Sequence, residues 1–188
     1  MERRSLYFEK AGVENTEKLL EFVKRYAIEN GIRDLVIAST TGETGARASR
    51  LFEGFNIVVV THHFGFPKPG ESELAEEYRQ EILANRAKLF TGTHALSGAE
   101  RAIRRKFGTV EPLEIIANTY RTLGEGTKVC VEISLMASDA GLIPVDRDVI
   151  SIAGTSRGAD TALLIRPASS SNFFDLKIKE VIAKPRDF

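Results

Sequence analysis

The stretch LVIASTTGETGARASRLF, residues 35–52, decides how the chain is to be read. Together with Asp34, its opening is a near-continuous apolar run, as a parallel strand covered on both faces requires. Its end has the spacing of a helix. Between them lies STTGETG, residues 39–45, where only Glu43 is neither Ser, Thr nor Gly. A strand passing through such a turn into a helix is the first half of a βαβ unit. The turn itself has two readings. Gly42 and Gly45 let backbone amides turn inward, and Ser39, Thr40, Thr41 and Thr44 add hydroxyl donors. With the positive end of a helix behind them, these groups suit a phosphate. The other reading is a helix-capping turn that holds nothing. The loop lacks the Lys of GxxxxGK[ST] and does not match GxGxxG, so triphosphate chemistry is not expected.

Working outward, the alternation continues. SLYFE (5–9) reads as a short leading strand, and residues 14–31 as a helix capped by Asn15 or Thr16 and ended by Gly31. NIVVVTHHFG (56–65) is a second buried strand, followed by a polar helix over 72–87. AKLFTGTHAL (87–96) reads as a third strand with its loop. A helix then opens on a Ser97–Glu100 capping box and closes at Gly108, and another carries Pro112 in its first turn. KVCVEISLMASDAG (128–141) is rich in Val and Ile, yet Val129, Ile133, Met136, Ala137 and Ala140 recur at helical spacing, which favours a buried helix. DVISIAG, TALLIRP and FDLKIKEVIAKP follow as consecutive strands. The expectation is a single α/β domain over 1–188: a mostly parallel sheet, helices on both faces, and an antiparallel C-terminal portion.

Composition narrows the function classes. Lys plus Arg and Asp plus Glu number 26 each, so no concentrated basic field marks a nucleic-acid or membrane-surface partner. Apolar runs such as NIVVV are strand-sized, and MERRSLYFEK holds no apolar signal core. A single cysteine, Cys130, allows no intramolecular disulfide, so a cytoplasmic protein is expected. Flanked by Val129 and Val131, that thiol reads as core.

Ligands of an open α/β sheet sit beyond the carboxyl ends of its strands. Four segments are expected there: STTGETG (39–45), THHFG (61–65), TGTHAL (91–96) and AGTSRGADT (153–161). All are rich in Ser, Thr, Gly or His, whereas the opposite connectors (ENGIRD, EGFN, ANRAK) are ordinary charged turns. All three histidines, His62, His63 and His94, fall on this rim, as ligand contacts or as structural side chains. His63 and His94 with Asp139 would be the one metal set to consider, without ligand-like spacing to support it. In AGTSRGADT, Arg157 could pair with a phosphate or carboxylate, and Asp160 could accept from a hydroxyl or orient the loop; a plain hairpin explains the glycines equally well. Glu132 and Asp139, acidic groups in an apolar segment, need partners at the site or on a neighbouring backbone. Phe64, Phe66, Phe173 and Phe174 could serve packing or a homo-oligomer contact.

DLVIASTTGETGARAS resembles the segment of the pyruvate kinase C-terminal domain in which a strand enters a Thr/Ser/Gly loop that grips an effector's phosphate. DVISIAGTSRGADTALLIRP is similar to that domain's closing strands. With VEISLMASDAGLIP included, the whole chain resembles the stand-alone pyruvate kinase C-terminal-like (alpha/beta domain) proteins. The resemblance implies a three-layer sandwich and flavin mononucleotide (FMN) bound at the strand ends. The phosphate would then fall to Ser39, Thr40, Thr41, Gly42, Thr44 and Gly45. The ribityl chain and ring would lie among Thr61, His62, His63 and Gly65, then Gly92, Thr93 and His94, and finally Gly154, Thr155, Ser156, Arg157 and Asp160. The kinase's catalytic barrel has no counterpart here, so phosphoryl transfer is not implied. The alternative within this resemblance is a non-enzymatic sensor of a phosphorylated metabolite.

Overall fold

Each apolar run read as a strand pairs into one sheet. The computed structural model describes residue 2 and residues 4–188. Among them β1 (Leu6–Lys10), β2 (Asp34–Ala38), β3 (Asn56–Thr61), β4 (Lys88–Thr91), β5 (Val149–Ala153), β6 (Thr161–Arg166) and β7 (Lys177–Asp187) stand in the order β1-β7-β6-β5-β2-β3-β4. The helices are α1 (Thr16–Glu29), α2 (Glu43–Leu51), α3 (Glu76–Ala84), α4 (Glu100–Phe107), α5 (Pro112–Arg121) and α6 (Glu125–Asp139).

The central strands are apolar throughout because side chains alternate between two covered faces. Leu35, Ile37, Ile57, Val59, Ile150 and Ile152 join the core built with α1, α2 and α3. Val36, Val58, Val60, Val149 and Ala153 join the core built with α5 and α6. Handedness explains which helix goes where. From β1 to β2, β2 to β3 and β3 to β4 the chain advances across the sheet in one direction, so right-handed crossovers put α1, α2 and α3 on one face. The return from β4 to β5 runs the other way, and its helices cover the other face. The three-layer α/β sandwich expected from the sequence is the one observed.

The Val/Ile-rich segment at 128–141 is a helix, α6, with Cys130 through Ser138 all buried. Its polar side chains are satisfied internally, as burial demands. Ser134 Oγ donates to the Cys130 carbonyl and Ser138 Oγ to the Ser134 carbonyl, each at 2.8 Å. Cys130 Sγ donates to the Ser151 carbonyl (3.3 Å), while Ser151 Oγ donates back to the Cys130 carbonyl (2.9 Å), fixing α6 on β5. Burial raises the Cys130 thiol well above its ordinary pKa, in keeping with a core residue. The antiparallel portion comes down to β6, which pairs antiparallel with both β5 and β7 while the other strand pairings are parallel.

Several boundaries differ from the sequence reading. β3 stops at Thr61, a turn closed by the Phe66 amide on the His63 carbonyl (3.2 Å) follows it, and the polar helix of 72–87 contracts to α3. Asn15 occupies the cap position of α1 but its side chain donates to the Lys10 carbonyl (2.8 Å), so it does not cap the helix. The Ser97–Glu100 capping box does not form. Helix α4 begins at Glu100, whose carboxylate instead accepts the amide of Leu113 (2.9 Å) and caps the neighbouring α5.

Gly126 lets the start of α6 lie against the start of β6; a Cβ there would sit 2.5 Å from Thr161 Cβ. Gly126→Ala is expected to lower stability by about 1–3 kcal/mol as the two elements are forced apart. Urea unfolding followed by circular dichroism measures it, and an unchanged midpoint would refute the close contact.

Candidate functional site

The reversal of sheet growth leaves a crevice. β2 has β3 on one side and β5 on the other, so the chains leaving their carboxyl ends diverge at this topological switch point. A cleft of about 370 Å³ opens there. Its lining brings together Ser39, Thr40, Thr41, Glu43 and Thr44 after β2, Thr61 at the end of β3 with His62 and Phe66 beyond it, and His94 after β4. Gly154, Ser156 and Arg157 from the β5–β6 loop complete the rim, and α6 supplies the inner wall.

The first loop is shorter than its composition suggested. Gly42 is the N-cap of α2 and has φ +97°, a left-handed conformation that also keeps its Cα against Tyr78 and Leu74. Thr44 and Gly45 therefore belong to the first helical turn. Gly45 does not line the cleft: a Cβ there would lie 2.6 Å from Val59 Cγ1, and its amide donates to Ser39 Oγ (3.1 Å). Gly45 serves helix–strand packing, and Gly42 serves the turn. Among the described residues the hydroxyls of Thr40, Thr41 and Thr44, all lining the cleft, have no intramolecular hydrogen-bond partner. The Glu43 carboxylate, which would oppose an anion, is paired with Arg47 (2.8 Å).

An aromatic group forms the opposite side. The His62 ring packs 4.0 Å from that of Phe66, which stacks on His94 at 5.3 Å, and His62 Nδ1 is 2.6 Å from Glu73 Oε2. His94 is buried. Desolvation is the main cause that lowers its pKa to about 4; Glu132 opposes this, while His62, Lys128 and His63 add to it. The ring is therefore neutral near pH 7, with one nitrogen a donor and the other an acceptor. Behind it lies a buried ion pair, Lys128 Nζ to Glu132 Oε2 (2.5 Å), and Glu132 Oε1 accepts the amide of Leu96 (3.0 Å).

The remaining candidates are placed differently. His63 sits beside the cleft with its ring 5.3 Å from His94 and Nδ1 on the Phe64 carbonyl. Gly65 closes the following turn through its amide to the Glu71 carbonyl (2.8 Å). Gly92 is required by the Phe90 ring, 2.7 Å from where a Cβ would stand, and Thr93 is exposed. Asp160 is fully buried and accepts from Gly12 N (3.3 Å), Thr155 N (3.1 Å) and Thr161 Oγ1 (2.7 Å), so it orients the loop. Asp139 is at the far end of α6, accepting the Ser170 amide (2.8 Å), which dissolves the set His63, His94 and Asp139. Among the described residues no group of three or more His, Cys, Asp or Glu is arranged to hold a metal ion. Phe173 packs edge-on against Tyr120 and Phe174, away from the partners of Phe66.

Of the inner wall, sequence reasoning singled out only Glu132. Glu125, Lys128, Val129, Glu132, Ile133 and Met136 of α6 line the cleft, and the charges at 125, 128 and 132 form one stripe that helical spacing alone could have revealed. Arg101 and Arg121, from α4 and α5, had no such signal, because only tertiary packing brings those helices to the rim.

Residues 17–165 match the family model described as pyruvate kinase, alpha/beta domain, and the chain belongs to that family. Among the described residues no helix is long and apolar enough to cross a membrane.

The His94 imidazole is expected to titrate near pH 4. An unfolded chain takes up that proton near pH 6.5 and the native protein only near 4, so stability is lost as pH falls through this window. Replacing His94 with Gln should flatten that part of the acid dependence. NMR titration of the imidazole signals, with urea unfolding across the window, checks both; a His94 midpoint near 6.5 contradicts them.

Proposed function

We propose that the cleft at the switch point binds a phosphate-bearing small molecule, and that this molecule is FMN. The observation that carries the reading is the row of unpartnered hydroxyls on Thr40, Thr41 and Thr44 at the start of α2, facing a cleft whose other walls combine the His62, Phe66 and His94 rings with apolar and charged residues of α6. Such hydroxyls, with first-turn amides and the helix dipole, favour a terminal phosphate. The absence of a loop lysine fits a single phosphate better than a triphosphate. The volume falls within the range of cofactor-sized sites.

The residues present fit the group. Ser39, Thr40, Thr41 and Thr44 would hold its phosphate, with Arg157 from the facing loop adding a cation. Val60, Phe66, Val129, Ile133 and Met136 offer surface for a flat ring, and the neutral His94 can donate or accept a hydrogen bond at its polar edge. A bound flavin would supply electron-transfer chemistry, while the protein orients it and sets its polar surroundings. The setting consistent with a lone buried cysteine is the cytoplasm.

One observation favours the second reading, a sensor of a phosphorylated metabolite without catalysis. Arg157 is exposed at the rim and, among the described residues, has no ion-pair partner, as a site for a second anionic group would require. Purified protein is expected to show flavin absorbance in the visible, or to gain it when FMN is added. Thr41→Glu should abolish this binding while leaving the circular dichroism spectrum unchanged. Thermal stabilisation by sugar phosphates with none by FMN would overturn the flavin reading and support the sensor.

A further inference from the structure

The three histidines of the rim stand in three different settings. His94 is buried, and desolvation keeps its ring neutral near pH 7. His63 places Nδ1 on the Phe64 backbone carbonyl and is not part of the cleft lining. His62 lines the cleft and sets Nδ1 2.6 Å from Glu73 Oε2, the one imidazole–carboxylate contact among the described residues. That contact fixes the tautomer. A carboxylate accepts, so Nδ1 carries the hydrogen and Nε2 keeps its lone pair. Among the described residues Nε2 has no intramolecular partner and is not one of the sealed polar atoms, which leaves it open to a ligand.

Backbone ties hold both partners. The Ser39 amide donates to the Val60 carbonyl (2.9 Å), so His62 leaves β3 beside the Thr-rich turn that leaves β2. The following loop folds back through the Gly65 amide on the Glu71 carbonyl (2.8 Å), and the Ala75 amide reaches the Thr41 carbonyl (3.0 Å). Glu73 lies between these two ties, 11 residues from His62 in sequence yet against its ring. The Phe66 ring packs on the imidazole. The other charged groups nearby are Arg101, across the Phe66 ring, and the closed Lys128–Glu132 pair; among the described residues none of them hydrogen-bonds His62.

We propose that His62 is the proton-transfer residue of the cleft, with Glu73 positioning it, and that the cleft performs a reaction in which a ligand's bond to hydrogen is broken or made. In the forward step an O–H, N–H or acidic C–H bond of the ligand breaks, its electron pair stays on the ligand, and the proton adds to Nε2. The Glu73 charge then balances the imidazolium, as a carboxylate behind a catalytic histidine does. Reprotonation runs the same path backwards, so the step consumes no oxidant or reductant. The assignment rests on the cleft being a ligand site, not on the ligand being FMN, and it separates a catalytic cleft from a purely sensing one.

Two measurements on the purified chain, freed of any flavin, test it. In ¹⁵N-histidine NMR, His62 is expected as the tautomer with its hydrogen on Nδ1. Glu73→Gln, which keeps an acceptor, should preserve that tautomer, and Glu73→Ala should lose it. The second measurement is ring opening of nitrobenzisoxazole, a flat carbon acid. A base takes its C–H proton, the electron pair forms the nitrile, the N–O bond breaks and a coloured phenolate is released. Saturable turnover is expected, falling at least about tenfold in His62→Gln. Glu73→Ala should lower kcat with little change in KM, and Glu73→Gln should lie between it and the wild type. The tautomer is read without altering His62, so it stands even where His62→Gln folds poorly. A hydrogen on Nε2 in the wild type, an equal rate in His62→Gln, or an equal loss in His63→Gln would overturn the assignment. So would the expected tautomer without turnover, the mark of a purely structural pair. Failure to bind FMN would instead sink the flavin reading and leave both results standing.

Discussion

A carboxylate sealed from water must find donors inside the protein, and Asp160 finds three. The Gly12 amide, the Thr155 amide and the Thr161 hydroxyl converge on it, from the exit of β1, the β5–β6 loop and the first residue of β6. Hydrogen bonds to a charged group are worth about 1.5–3 kcal/mol each, and removing one here would leave a buried charge short of a partner. The loop carrying Ser156 and Arg157 is thereby fixed at its base while its tip stays exposed. A neighbouring bond strengthens the tie: the Ala159 amide donates to Thr16 Oγ1 (2.9 Å), whose own hydroxyl donates to the Val13 carbonyl. One rim of the cleft is thus held rigidly against the start of α1.

The other walls follow from topology. Because the chain grows across the sheet in one direction through β4 and then doubles back to β5, the switch point falls between β2 and β5. The return helix α6 must cross the sheet beneath that point. A helix buried along most of its length could place only apolar residues there. Yet α6 carries Lys128 and Glu132 where it meets the cleft, compensated by each other and by the Leu96 amide. Its deeper portion returns to small and apolar residues, and its hydroxyls are turned back onto the helix itself. The polar content of this helix is thus concentrated where the cleft opens.

Much of this was legible in the residues. Strands covered on both faces announce themselves as apolar runs, and helical recurrence of Val129, Ile133 and Met136 outweighed β-branched propensity because burial, not propensity, decides such a segment. The gathering of Ser, Thr, Gly and His loops on one edge followed from strand direction alone. What could not be read was how individual groups are spent. Gly45 looks like a ligand-facing glycine but yields to Val59, and Gly92 yields to Phe90. Glu100 fits its own helix's capping pattern yet serves α5. Asp160 could not be assigned between ligand and loop without knowing that β1 ends beside it. Arg101 and Arg121 sit in ordinary charged helices, and only the packing of α4 and α5 turns them toward a cavity. In each case a local pattern was right about chemistry and silent about the partner, because the partner lies far away in sequence.

The pairing of β1 with β7 sets Leu6 beside Ala183 and Lys10 beside Asp187. During synthesis the first strand to emerge must wait for the last before its edge of the sheet can close, and such non-local pairings slow folding. The Asp160 tie shares this delay, since Gly12 follows directly from β1. A nascent chain can therefore assemble β2, β3, β4 and the helices between them well before the rim opposite the Thr-rich loop is fastened. Ligand affinity would then ripen late: every residue of the cleft precedes β7, yet the Gly12 tie that fastens its rim waits until β1 has found β7.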